Sequence, residues 1–238
     1  MARIKGIELI KDGKRLDGRK PLQIRDVEMK VGIIPNANGS AMVRFGKTFA
    51  VAAVYGPRLL LPKHLQESDK AIIQCRYNMA PFSTDDRVKP GSSRREIEIS
   101  KVIRQAFESV LFLENYPKTT IDIYIEIIQA DGSTRVTSIN AASLALADAG
   151  VPMRDLVVAL SGGKINDTLI LDLNGLEDNN SEADMPIAFT ANKKEITLLQ
   201  MDGELKHDEI KKLISEMFKA GDEIYKMQVK ALKDRYSE

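Results

Sequence analysis

The sequence predicts an α+β fold in a single domain over residues 1–238. Three observations carry that reading. Short runs alternate apolar and polar residues with period two, two long stretches repeat apolar residues at three- and four-residue steps, and the two patterns interleave without the regular spacing of a doubly wound sheet. No Pro-, Gly- or Ser-rich tract separates them, and 43% apolar content over 238 residues suffices for one large core.

Each element has its own signal. From Leu22 to Tyr55 the chain reads as strands split by turns, and the Asn-Gly pair of "NANGS" at 36–40 favours a tight hairpin. In "FGKTFAVAAVYGPR" a Gly-Lys turn precedes a near-continuous apolar run, which suits a strand buried on both faces. Residues 56–70 carry two prolines and several charges and read as an exposed loop. "AIIQCRYNMA" is a strand, and "PFSTDDRVKPGSS" is a polar loop. A helix starts near Arg95, because Ile97, Val102, Ile103, Ala106, Phe107, Val110 and Leu111 recur at helical steps. "TTIDIYIEIIQA" alternates Ile121, Ile123, Ile125 and Ile127, a strand. "DGSTR" interrupts it, and the Ala- and Leu-rich "VTSINAASLALADAG" is a helix stopped by Gly150. Two hairpins follow, in 156–180 and 185–203. A last helix over about 206–237 places Ile210, Leu213, Ile214, Met217, Ile224 and Met227 on one face.

Composition narrows the function. Thirty-five Lys and Arg balance 34 Asp and Glu, so any site for a polyanion is a local patch. The one cysteine, Cys75, cannot form an internal disulfide and sits in an apolar strand as a core residue. The start "MARIKGIELI" lacks the apolar segment of a signal peptide, and no apolar stretch reaches the roughly 18–20 residues that cross a bilayer, so a cytoplasmic protein without a membrane partner is expected.

Three constellations could carry chemistry. In "EDNNSEADMP", residues 177–186, Glu177, Asp178, Glu182 and Asp184 crowd between two apolar runs. Asp178 and Asp184 are placed to lie at strand ends, where paired carboxylates can hold a divalent metal or supply a general acid; a solvated charged loop is the plainer account. In "SSRREIEISK", Arg94 and Arg95 open a helix, where cations oppose the macrodipole unless an anion is bound or Glu96 and Glu98 neutralise them. In "ADGSTRVTS", a small-residue turn between strand and helix offers free N–H groups, the Ser133 and Thr134 hydroxyls and the Arg135 guanidinium, a phosphate cradle or an ordinary N-cap. The spacing is not that of a Walker loop. Together the three suit attack of phosphate on a phosphodiester, and equally a hydrolase working through a metal-bound water.

"KRLDGRKP" at 14–21, "ANGSAMVRFGKTFAVAAVYGPR" at 37–58, "SSRREIEISKVIRQA" at 92–106, "QADGSTRVTSINAASLALADAGVPMRDL" at 129–156 and "LDLNGLEDNNSEADMPIA" at 171–188 resemble the RNase PH family over nearly the whole chain, and within it the catalytic ring subunits of archaeal exosomes. The resemblance implies a ribosomal protein S5 domain 2-like fold. It also implies a phosphorolytic 3′-to-5′ exoribonuclease on single-stranded RNA, which releases nucleoside diphosphates, adds nucleotides in reverse, and uses inorganic phosphate as co-substrate with Mg²⁺ or another divalent metal. Its implied partners are a related non-catalytic ring subunit, alternating with it in a hexamer, and RNA-binding cap proteins. Residue by residue, the family's phosphate motif falls on Thr134 and Arg135, with Ser133 where the family usually has Gly, so a slightly reshaped turn is expected. Arg94 and Arg95 take the positions that hold RNA and phosphate. Asp178 and Asp184 take those of the two catalytic aspartates, Asp184 as general acid and Asp178 supporting it or the metal. Residues 56–70 correspond to a pore neck, where Lys63 and His64 could touch the RNA. Two alternatives stay open: a homohexameric RNase PH that trims tRNA ends, and a non-catalytic RNA-binding ring member, which would be expected to lack some of Asp178, Asp184 and Arg135.

Overall fold

The computed structural model describes residues 9–237 apart from residues 12 and 92; most of the opening segment examined for a signal peptide lies outside them. Two short strands, β1 (Ile10–Lys11) and β2 (Lys14–Arg15), pair antiparallel ahead of the first main sheet. That sheet comprises β3 (Val27–Val31), β4 (Gly39–Phe45), β5 (Thr48–Leu59), β6 (Ile72–Met79) and β7 (Thr119–Gln129), in the order β3-β4-β5-β7-β6. Only β6 and β7 run parallel, joined by a crossover through helix α1 (Arg94–Glu108). Helix α2 (Thr134–Asp148) leads to the second sheet, of β8 (Val157–Ile165), β9 (Thr168–Leu171), β10 (Ala183–Thr190) and β11 (Ile196–Leu199), with β12 (Asp202–Gly203) paired to the start of β10. A six-residue helix, α3 (Gly175–Asn180), interrupts the step from β9 to β10, and α4 (His207–Tyr236) closes the chain.

Helix α2 packs on β4 and β5 of the first sheet and on β8 and β10 of the second. A helix covered on all sides needs no polar face, which is why its Ala- and Leu-rich sequence lacks an amphipathic stripe and why every residue from Val136 to Leu146 is buried. Its buried polar members from Thr137 to Ser143 are paired internally. Asn140 donates to the carbonyls of Val136 and Ala159 and accepts from the Ala159 N–H, and Ser143 accepts from the Val157 N–H. From α4, Gln228 donates to Asn140 and to the Val157 carbonyl, tying the long helix to the same seam. Most buried apolar side chains of both sheets and of α1, α2 and α4 form one contiguous cluster, and Leu9, Ile165, Ile170 and Leu173 form a smaller second one. Ile121, Ile123, Ile125 and Ile127 of β7 lie wholly inside the larger cluster, and Ile128, on the other face, is only partly buried.

Several expectations shift in detail. The Asn-Gly pair is not a tight hairpin: β3 and β4 are joined by residues 32–38, and the two-residue turn is Gly46-Lys47, between Phe45 and Thr48. Gly39 is required by packing instead, since a Cβ there would meet the Ala149 nitrogen of the α2 C-terminus at 2.2 Å. β5 runs on through Leu59, so residues 56–59 of the expected loop are strand, with Gly56 and Pro57 falling at a register shift against β7 that excuses Pro57 from donating. In α1 the inward isoleucine is Ile99; Ile97 is 61% exposed. In α4, Met227 is 37% exposed rather than buried with Leu213, Met217 and Ile224 of the apolar face. Cys75 is half-buried in β6, where desolvation pushes its thiol up to about 12, as expected of an unreactive cysteine packed on the core. Among the described residues, no helix is long and apolar enough to cross a membrane.

Candidate active site

Three elements separate in sequence converge on one cleft of about 410 Å³: the starts of α1 and α2, and the segment from α3 into β10. At the start of α1, Ser93 and Glu96 form a reciprocal capping box, and Glu96 also accepts from the Met79 N–H at 3.1 Å, pinning the helix to the end of β6. Glu96 is therefore committed to backbone donors. Glu98 turns the other way, accepting from Arg135 Nη2 at 3.0 Å and from Gln200 Nε2 at 3.0 Å. Neither carboxylate neutralises Arg94 or Arg95, contrary to the plainer account of that pair. Arg95 lines the cleft and makes no hydrogen bond or ion pair among the described residues, while Arg94 is exposed beside it and outside the lining.

The turn into α2 is held on both sides. Thr48 Oγ1 accepts from the Asp131 N–H and donates to the Gly132 carbonyl, and Asp131 Oδ1 accepts from the Gly175 N–H that opens α3. Gly132 has φ +72° and passes so close to α3 that a Cβ would meet the Asn174 carbonyl carbon at 2.5 Å. Ser133 then takes the left-handed conformation, φ 55° and ψ 25°, which a glycine would adopt at less cost. Two hydrogen bonds at 2.7 Å hold it there: its hydroxyl donates to the Leu173 carbonyl, which leaves the Ser161 hydroxyl as the donor to Ser133 Oγ. So Ser133 occupies the N-cap position without capping. The first-turn N–H groups of α2 keep no side-chain acceptor, and Arg135 Nε is buried without a partner. These are unspent donors on a positive helix end, the arrangement an anion requires.

The four carboxylates of the acidic run divide two and two. Glu177 is buried, completes a capping box with Asn174, and receives the Arg15 guanidinium as a fork. Glu182 is exposed, 3.8 Å from Lys164. Asp178 and Asp184 face the cleft. Asp178 is not at a strand end, as expected, but in α3, because Asn174 and Glu177 nucleate a helical turn there. Asp184 is the second residue of β10, directly opposite Asp202 of β12. Burial, then the charge of Asp178, push the Asp184 carboxyl up to about 7, Arg135 and Arg95 pulling the other way. Burial likewise raises Asp178, against the same two arginines.

The cleft thus gathers Arg95, Ser133, Thr134, Arg135, Asp178 and Asp184 from the sequence-derived set. It does not gather Lys63 and His64, which lie exposed on a short 3₁₀ turn after β5. Ser161, Gln200, Met201 and Asp202 also line it and carried no sequence signal. They reach the cleft through strand pairing and through the turn after β11, and "LLQMDG" has neither period nor motif to mark them. Among the described residues no group of three or more His, Cys, Asp or Glu side chains is arranged to hold a metal ion. Asp178 and Asp184 offer carboxylate oxygens that would suit a hard divalent cation, though too few to enclose one by protein alone.

A fold of this kind, with a donor-rich helix start facing two raised carboxylates, defines a class of phosphoryl-handling enzymes, and comparison places the chain in one. It belongs to the 3′ exoribonuclease family of RNase PH type: residues 23–152 match the family's domain 1 and residues 155–220 its domain 2. Among its relatives is the exosome complex component Rrp41 of Pyrococcus furiosus, 55% identical over 237 residues, 99% of this chain and 95% of that one. The protein of the same name from Pyrobaculum calidifontis is 52% identical over 231 residues, covering 97% and 94%. Among solved structures, rice Rrp46 superposes with a TM-score of 0.83 at 26% identity, covering 92% of this chain and all of that one. A chain of the Archaeoglobus fulgidus exosome with RNA bound to the active site superposes with a TM-score of 0.77 at 22% identity, covering 90% and 92%, a likeness of fold.

Proposed function

We propose that this chain is the phosphate-dependent 3′-to-5′ exoribonuclease subunit of an archaeal exosome. The observation that carries it is the meeting, in one cleft, of an uncapped α2 N-terminus with Arg135 and Arg95 on one side and Asp178 and Asp184 on the other. Inorganic phosphate binds at the start of α2, at the N–H groups there, the Ser133–Thr134 turn and Arg135, with Arg95 between it and the RNA. One phosphate oxygen attacks the phosphorus of the last phosphodiester. The bond from phosphorus to the O3′ of the penultimate nucleotide breaks, Asp184 gives its proton to that O3′, and a nucleoside diphosphate leaves with an RNA one residue shorter. The reverse reaction lengthens RNA from nucleoside diphosphates. The arginines lower the repulsion between two anions, the principal obstacle to this reaction. Asp178 would hold the divalent cation, and Asp184 would add to that hold only as the carboxylate left once its proton has gone; the cation would supply further neutralisation of the two phosphates.

Because no aromatic side chain lines the cleft among the described residues, single-stranded RNA is held chiefly through phosphate, with little sequence preference. Arg94, beside the cleft, and Lys63 and His64, on the outer turn, extend the contact with the incoming strand. A related non-catalytic ring subunit in a hexamer and RNA-binding cap proteins complete the assembly, in the cytoplasm. A non-catalytic role does not suit a chain that keeps Asp178, Asp184 and Arg135 together in an open cleft.

The test is to incubate the chain, alone and with its ring partner, with 5′-labelled single-stranded RNA and Mg²⁺, with and without phosphate. Nucleoside diphosphates that form only with phosphate are expected, and only in the presence of the partner. Activity of the chain alone would point to a solitary tRNA-trimming enzyme. Nucleoside monophosphates formed without phosphate would mean hydrolysis and would overturn the reading.

A further inference from the structure

Behind the cleft lies a network of charges that no step of the proposed reaction uses. Arg15, Arg19 and Arg25 are 2%, 8% and 8% exposed, and Asp172 and Glu177 are 0% and 2% exposed. Arg15 grips Glu177 as a fork, with Nε 2.6 Å from Oε1, and also donates to the carbonyls of Leu171 and Asp172 at 2.6 and 2.9 Å. Arg25 grips Asp172, with Nη2 2.7 Å from Oδ1 and Nε 2.9 Å from Oδ2, and its remaining nitrogen donates to the Asp131 carbonyl at 2.7 Å. Arg19 bridges the two, 3.1 Å from the Asp172 carbonyl and 3.7 Å from Glu177.

Ion pairs this deep are poor sources of stability, because each charge has given up its hydration. Their value here lies in where they end. Glu177 immediately precedes Asp178, and Asp131 immediately precedes the Gly132-Ser133 turn that aims Thr134 and Arg135. α3, at six residues, is far shorter than the roughly 12–15 residues at which an isolated helix becomes even marginal, so its direction has to come from outside. A forked Arg–carboxylate pair sets both distance and angle.

We propose that this network positions the cleft, Arg15 acting through Glu177 on Asp178, and Arg25 acting through the Asp131 carbonyl on the phosphate turn. The proposal rests on the phosphorolytic reading of the cleft. Its signature is a division that general loosening would not produce: the first arm governs turnover and the second governs phosphate binding.

The test uses the full chain assembled with its ring partner. Arg15→Lys keeps the charge and loses the fork. It is expected to lower kcat roughly tenfold while leaving the phosphate KM within twofold, the scale of a small misplacement of a reacting group. Arg25→Lys is expected to raise the phosphate KM severalfold with a smaller loss of kcat. Amide hydrogen exchange of residues 174–182 should be at least about tenfold faster in Arg15→Lys, a readout independent of any activity. Should Arg15→Lys fail to fold, Arg15→Met with Glu177→Met, an apolar pair of similar volume, carries the same measurements. Folded variants with unchanged exchange, with wild-type kcat, or with the same kcat and KM changes in both arms would overturn the proposal. If the wild-type assembly yields no nucleoside diphosphates the functional reading fails, and the exchange measurement still decides whether Arg15 orders α3.

Discussion

Asp184 is the residue on which sequence, geometry and chemistry meet. Burial raises its carboxyl to about 7, so that a substantial fraction still carries the proton near neutral pH, as a general acid needs. Asp184→Asn is expected to keep RNA affinity and to lower turnover a hundredfold or more, the usual scale for losing such a group. In the unaltered chain the chemical step should fall as pH rises above about 7, since the proton to be donated is lost there. The same shift has a consequence for stability. A folded pKa of about 7 against an ordinary 3.8 means that the folded state holds the proton more tightly, so this group's contribution declines as pH rises from about 4 to about 7. Asp184→Asn removes that decline, and its melting temperature at pH 8 should exceed that of the unaltered chain by a few degrees, roughly what ~1 kcal/mol gives in a chain of this size. A lower melting temperature, or wild-type turnover, would remove the assignment. Arg135→Ala should raise the phosphate concentration needed for half-maximal rate, measured by initial rates at saturating RNA; an unchanged phosphate dependence would place the phosphate elsewhere. At this scale the motif singles out Asp178 and Asp184 among four carboxylates, but the residue types give no physical reason for the choice. Glu177 and Asp178 are neighbours of similar chemistry, and the buried guanidinium of Arg15 together with the Asn174 capping box turns Glu177 inward while Asp178 faces the cleft.

At the scale of elements, the cleft is made from helix beginnings. α1 brings Arg94 and Arg95 forward because Ser93 and Glu96 satisfy its first-turn donors internally, whereas α2 leaves its own donors open because Ser133 spends its hydroxyl on Leu173. One start is sealed and cationic, the other open and anion-seeking. Replacing Arg94 and Arg95 together by Ala should weaken RNA binding and flatten the slope of log affinity against log salt by about 1–2, in titrations with labelled RNA. An unaltered slope would move the RNA path off α1. The amphipathic period of α1 was readable, apart from Ile97 and Ile99 exchanging roles at its first turn. The turn into α2 and its open donors were readable, but what holds Ser133 was not: a left-handed serine depends on partners 28 and 40 residues away, and local pattern carries no trace of them. α3 was hidden for a related reason, six residues being too few to show a period.

For the whole molecule, the question is how two sheets behave as one object. α2 lies against both, Gln228 of α4 bonds into the same seam, and the buried apolar side chains are continuous from one sheet to the other. A single cooperative transition is expected in calorimetry, with calorimetric and van't Hoff enthalpies equal. Two separated transitions would divide the chain near residue 153, between its two family segments. The sequence by itself determined the α+β class, most strands and helices and the family, and it singled out Arg95, Arg135, Asp178 and Asp184 as candidates, because period, turn residues and short ordered motifs are local properties of the chain. The tertiary structure alone decided which carboxylates face the cleft, that Ser161, Gln200 and Asp202 join them, and that Arg15 and Arg25 stand behind them. Burial, charge pairing and strand register are relations between distant residues, and they come into being only when the chain has folded.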